Sequence, residues 1–208
     1  MLTLHSAPGA CSLAAHIALR EAGAEFELIR VDFAANQQRS PEYLALNPKG
    51  RVPLLTGPQG ALTETPAILA WIAQTYPDAA LAPTNAWDFA RMQAFNAYIC
   101  ATLHVNHAHG RRASRWTDDE AAMATMVAKV PQTVGDSFAH IETESFEGPW
   151  VMGAGFSVAD AYLYTVARWM EVDKLDPARF PRLRDHRARM QDRAAVREAL
   201  EAEGLSPV

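Results

Sequence analysis

The order of short segments in the first 76 residues constrains this chain more than any other feature. LTLHS at 2–6 alternates Leu2 and Leu4 with polar neighbours, the period of a half-buried strand. CSLAAHIALREAG at 11–23 places Leu13, Ile17 and several alanines at helical spacing, with Gly23 as the stop. FELIRVDF at 26–33 is again strand-like, rich in apolar and β-branched residues. Strand, helix, strand is a βαβ unit, and it predicts parallel pairing. SPEYLAL reads as a short helix with Ser40 as cap and Pro41 at its first position. VPLLT and ALT then flank Gly57-Pro58-Gln59-Gly60, a hairpin signal that adds an antiparallel strand. TPAILAWIAQTY closes the series as a helix capped by Thr65 and opened by Pro66, with Ile68, Leu69 and Ile72 on its apolar face.

PDAALAPTN breaks the pattern with two prolines and small residues, and everything after it reads helical. The expected division is a first domain over 1–78, a linker over 79–86 and a helical domain over 87–208. One long helix is expected from Trp87 towards Arg111, and another from Thr117, where Asp118, Asp119 and Glu120 suit a helix N-terminus. Pro131 should kink or split the latter. SVADAYLYTVARWMEV opens with Ser157 as cap and Asp160 three residues on, and PRLRDHRARMQ and AVREALEAEG complete a bundle. The fold class expected is α/β plus all-α, a thioredoxin-like N-terminal domain followed by a helical bundle.

Composition narrows the function classes. A formal net charge of −5 argues against a general nucleic-acid binder. Cys11 and Cys100 lie far apart and make no disulfide framework, which fits a reducing cytoplasm. No signal-peptide pattern and no run of membrane-spanning length is seen, so a cytoplasmic protein without a membrane partner is expected.

Three motifs carry chemistry. In PGACSL, a helix beginning near Cys11 or Ser12 would hold the sulfur close to unpaired N–H groups and lower its pKa below about 8.5. The alternative is an inert thiol packed beneath the sheet. In NPKGRVP, Pro53 opens a strand, which points to a sheet edge or a cis bond. A cis Val52–Pro53 bond would turn the Val52 N–H and C=O outwards to receive an extended peptide as one more strand. The alternative is an ordinary loop proline. In TETP, Thr65 offers a hydroxyl and an N–H to a carboxylate, and Glu64 can accept from an ammonium. The alternative is plain capping with Glu64 solvated. Further on, Cys100, His104 and His107 are spaced i, i+4 and i+7. Three ligands on one helix rarely close a tetrahedral shell, so no metal is expected there. Arg111, Arg112 and Arg115 read as a solvated helix end that complements the dipole, or else as a lure for anionic substrates.

Taken together, SAPGACSL, NPKGRVP, LTETPAI and FSVADAYLYTVARW resemble the glutathione transferase superfamily over nearly the whole chain, and PGACS is similar in particular to the bacterial beta class. The resemblance implies an enzyme that takes glutathione as co-substrate and activates its thiol for attack on a small electrophile, with thiol–disulfide exchange through Cys11 as a further possibility. It implies that Val52 pairs with the cysteinyl backbone across cis Pro53, that Glu64 and Thr65 hold the γ-glutamyl end, and that Lys49 belongs to the same binding set. Cys11 would lie by the glutathione sulfur, Ser12 is its rival for that contact, and His104 matches the histidine that faces the sulfur. Asp160 falls on a capping motif implied to be buried and to guide folding. A homodimer is implied, between the helix after Thr65 and the start of the long helix.

Three positions depart from the class. Val105 stands where a lysine usually follows the histidine, Ala97 stands where an asparagine contacts glutathione with Asn96 one residue away, and AANQQR replaces a lysine-bearing segment after the second strand. Weaker glutathione binding or an unusual substrate is the expectation. The rival reading is a non-catalytic module that reuses the fold for binding or regulation.

Overall fold

A computed structural model describes residues 1–208. Four strands form one mixed sheet in the order β2-β1-β3-β4. β1 (Leu2–Ser6) and β2 (Phe26–Arg30) pair in parallel, Leu4 opposite Leu28, across helix α1 (Ser12–Glu21). The βαβ expectation holds. β3 (Leu54–Gly57) runs antiparallel to β1, and a two-residue turn returns it as β4 (Gly60–Thr63). Gly60 sits at φ +110°, a conformation open to glycine at little cost. Between β2 and β3 lies α2 (Pro41–Leu46), whose first turn is capped by Ser40 accepting from the Tyr43 N–H at 3.2 Å. α3 (Thr65–Thr75) follows β4.

The helical part starts with α4 (Ala86–Tyr98), capped by Asn85. The expected long helix is not uniform: a π turn over Ile99–Leu103 separates α4 from α5 (His104–Arg112). α6 (Glu120–His140) begins three residues later than expected, because the Asp119 carboxylate, not Thr117, accepts from the Ala121 and Ala122 N–H groups. Pro131 does not split it; α6 runs through, and the carbonyl it leaves without a helical donor belongs to exposed Val127. α7 (Val158–Ala167), α8 (Pro181–Gln191) and α9 (Ala194–Glu203) complete the bundle.

The two parts share one core. A cluster of 33 buried residues runs from Leu4, Ala15 and Leu69 of the sheet part to Phe138, Tyr162 and Leu163 of the bundle. α1 packs against α3, α7 and α9, so it joins the sheet part to the bundle. The segment joining the parts is also tied down: the Leu81 carbonyl accepts from the Val158 N–H at 2.9 Å.

Candidate active site

The turn between β1 and α1 is held from the far end of the chain. Gly9, at φ +69°, donates its N–H to Glu203 Oε2 at 3.0 Å, and its carbonyl accepts from Trp169 Nε1 at 2.9 Å. The other Glu203 oxygen accepts from Ser6 Oγ at 3.0 Å and pairs with His16 Nδ1 at 3.0 Å. Glu203 is 6% exposed, so these partners are what make its burial tolerable. Fixed in this way, Cys11 becomes the residue that leads into α1.

Its thiol departs from expectation. Cys11 is buried and its Sγ–H donates to the Val52 carbonyl at 3.4 Å. Burial pushes its pKa up to about 11, against the opposing pull of Thr65, Arg112 and its own backbone amide. The expected lowering below the free value is therefore overturned: the favourable donors exist, and desolvation outweighs them. Ser12 is corrected as well. It is fully buried and bonded within the turn, to Ser6 Oγ at 2.9 Å and to the Ala7 N–H at 3.2 Å, so its hydroxyl does not reach the cleft.

The opposite edge is built from the segment before β3. The Val52–Pro53 bond is cis. The preceding carbonyl, of Arg51, accepts from Tyr43 Oη at 2.8 Å and Asn47 Nδ2 at 2.7 Å, which pins the segment. The Val52 N–H has no partner within the chain. Glu64 adopts φ +73°, ψ 118°, a strained conformation for a residue with a Cβ. Its carboxylate meets Lys49 Nζ at 2.5 Å, and Lys49 also donates to Thr63 Oγ1 at 2.6 Å. Thr65 is not the cap expected of it. It is the first helical residue of α3, buried, with its hydroxyl close to Cys11.

The helical wall comes from α5 and α7. His104 lies 5.0 Å, ring to ring, from Trp169, and His107 stacks on the same indole at 4.3 Å. His107 Nδ1 is also bonded to the buried Asp173 carboxylate at 2.8 Å. Burial, then the charges of His107, Arg112, Arg115 and Arg51, lowers the His104 pKa to about 4, so its imidazole is neutral at pH 7. The π turn breaks the helical phase between Cys100 and His104, and no group of three ligands that could hold a metal forms. Asn96 is fully buried with both amide atoms unpartnered, and it does not line the cleft. Tyr162 of α7 is fully buried too, but its unpartnered hydroxyl lies beside Cys11, Cys100 and Thr65.

These walls enclose a cleft of about 740 Å³ between the two parts. It brings together Cys11, Lys49, Val52, Pro53, Glu64, Thr65 and His104. Of the residues expected to contact glutathione or its sulfur, Ser12 alone is absent. Residues 1–74 match the family described as Glutathione S-transferase, N-terminal domain, and residues 121–189 match Glutathione S-transferase, C-terminal domain. The chain is 35% identical over 201 residues to Glutathione S-transferase GstA of Escherichia coli O157:H7, covering 95% of this chain and 96% of that one. The chain belongs to the glutathione S-transferase family. A solved glutathione transferase homologue from Sulfitobacter with bound glutathione superposes with a TM-score of 0.95 at 40% identity, covering 99% of both chains. The bacterial beta-class Glutathione S-transferase of Sphingomonas chungbukensis superposes at 0.85 with 34% identity, covering 98% of this chain and all of that one.

Several residues of this transferase's site escaped the sequence reading. Trp169 and Tyr162 stand in the quoted FSVADAYLYTVARW, and the period of that helix marks them only as apolar. Glu203 carries no local signal, because its partners lie about two hundred residues upstream. The lysines expected beside His104 and after β2 are missing, and the cleft instead draws positive charge from Arg39, Arg51, Arg111, Arg112 and Arg115.

Proposed function

We propose that the transferase conjugates the glutathione thiol to a small electrophile in this cleft, and that thiol–disulfide exchange through Cys11 is not its main chemistry. The observation that carries this is the state of Cys11, a buried thiol that keeps its proton and donates it to a carbonyl. Exchange needs a thiolate as the attacking group. Conjugation needs a thiolate on glutathione, and a neutral S–H is a donor that can stabilise it.

In this reading the Val52 N–H and carbonyl receive the cysteinyl part of glutathione as an added strand. The γ-glutamyl carboxylate goes to the Thr65 N–H and hydroxyl at the start of α3, and its ammonium goes to Glu64, with Lys49 holding that side chain. Cys11 and Tyr162 then have a sulfur anion to donate to, which supplies the partner the Tyr162 hydroxyl lacks. His104, neutral at pH 7, adds no positive charge and stays free to donate or accept one hydrogen bond. The thiol proton leaves to solvent, the glutathione sulfur attacks the electrophilic carbon, an S–C bond forms, and the bond to the leaving group breaks with its electron pair. Residues 1–78 act as the glutathione-binding domain, 79–86 as linker, and 87–208 as the side that receives the electrophile. The protein works as a cytoplasmic homodimer.

Steady-state conjugation of glutathione to 1-chloro-2,4-dinitrobenzene tests the reading. Losing the Cys11 donor should cost about ten- to a hundredfold in kcat in Cys11→Ala, with a similar loss in Tyr162→Phe. Full activity in both variants would remove both proposed donors to the glutathione sulfur from the mechanism.

A further inference from the structure

The charge of this cleft is out of keeping with the rest of the chain. The protein carries a formal −5, yet five arginines line the cleft against a single acid, Glu64, which Lys49 already neutralises. None of the five takes part in an ion pair within the chain, and what sets them apart from the other unpaired arginines, such as Arg30 and Arg197, is that they are gathered in one cleft. The free arginines also crowd one another. Arg115 is disfavoured in its charged form by burial and by Arg112, Arg51 and Arg39, and three of these same guanidinium groups press on His104. Like charges gathered together repel one another, and an anion placed among them offsets that repulsion.

Glutathione accounts for only part of this. It brings two carboxylates and one ammonium, and the first carboxylate and the ammonium are met at Thr65 and Glu64. Its remaining carboxylate needs one or two cations, and Arg39 and Arg51 stand on the glutathione side of the cleft. Arg112 and Arg115 come from the helical wall, at the end of α5 and just beyond it. The Arg112 guanidinium lies over the Phe33 ring at 5.9 Å and within electrostatic reach of the Cys11 sulfur. Apolar surface adjoins it: Trp116 is 45% exposed and Val172 50% exposed, and both line the same cleft.

We propose that the second substrate is an organic anion, an electrophile with an apolar body and a carboxylate or similarly charged group that Arg112 and Arg115 receive beside the reacting sulfur. The proposal rests on the transferase reading above and names the substrate class of that site. Arginine suits the task because its planar fork pairs a carboxylate through two N–H groups while its face rests on an aromatic ring.

Calorimetric titration with S-(4-carboxybenzyl)glutathione and S-benzylglutathione tests it, using the full chain and the variant R112Q/R115Q. The charged conjugate should bind the unaltered chain about tenfold more tightly than the neutral one, the worth of one charge-assisted contact. In R112Q/R115Q the ratio of the two affinities should fall to near one. If the double variant does not fold, R115Q alone, at an exposed position, should reduce the ratio in part. Equal binding of both conjugates to the unaltered chain overturns the proposal. So does a loss of affinity in the variant that leaves the ratio intact, since the arginines would then serve glutathione's own carboxylate. If neither conjugate binds the unaltered chain, the transferase reading itself fails and the proposal falls with it.

Discussion

A cysteine at the start of a helix is usually read as a thiolate, and here two opposing effects meet at one sulfur. The Thr65 hydroxyl, the Arg112 charge and the local amide all favour the anion, while burial favours the neutral thiol and prevails. The local donors were legible in PGACS and TETP. The packing that dries the site, from Tyr162 and Cys100, is invisible at that range. Alkylation of Cys11 by iodoacetamide should therefore be slow at pH 8 and accelerate towards pH 11, with glutathione protecting it. A rate already at its plateau by pH 7 would refute the neutral thiol. His104 leads to a separate prediction about stability. Its folded pKa of about 4 lies below the unfolded value of 6.5, so the unfolded chain binds a proton that the folded chain refuses. Stability from this group is complete above pH 6.5 and is lost as the pH falls towards 4, by up to about 3 kcal/mol. Denaturant titrations across that range should show the slope in the parent protein and a flatter one in His104→Gln.

At the scale of the element, α7 shows where local rules stop. The Ser157 and Asp160 pair was readable as a cap, and the Asp160 carboxylate does accept from the Ser157 N–H at 2.8 Å and hydroxyl at 3.0 Å. Two further partners come from other segments: the Val151 N–H at 2.8 Å and His186 Nε2 of α8 at 3.0 Å, with Asp160 and His186 both fully buried. One carboxylate thus ties the start of α7 to the preceding loop and to α8. Asp160→Ala would strand several buried donors at once, so its cost should exceed that of a simple cap and reach about 3–5 kcal/mol. Thermal denaturation should show a fall of roughly 10 °C, and an unchanged midpoint would remove Asp160 from the fold's supports. The same limit explains the other differences. Thr65 looked like a cap because its hydroxyl precedes Pro66, but the bend falls one residue earlier, at Glu64. Pro131 looked like a breaker, and α6 absorbs it because its orphaned carbonyl belongs to an exposed residue. The parallel pair and the hairpin were legible because period and turn residues are local properties.

For the whole molecule, the helix that starts at Ala86 puts a large aromatic residue into solvent: Trp87 is 76% exposed. A second copy of the chain would cover it in the proposed homodimer, along an interface where the same patch meets itself. Light scattering at micromolar concentration should give about twice the 22.8 kDa of one chain, and Trp87→Glu should shift the population towards single chains. A protein of single-chain mass throughout would refute the dimer. The ties that hold the β1–α1 turn have a different consequence, for how such a protein can be changed by recombination. Gly9 is gripped by Trp169 and Glu203, Ser6 and His16 also answer to Glu203, and Glu21 at the end of α1 forms a two-pronged pair with Arg193. The sheet part therefore cannot be exchanged between relatives as a free-standing cassette. A chimaera joined in the linker would keep its β1–α1 turn in place only if the incoming bundle brought an indole, a carboxylate and a guanidinium to those same three points, so the two halves are bound to a common inheritance.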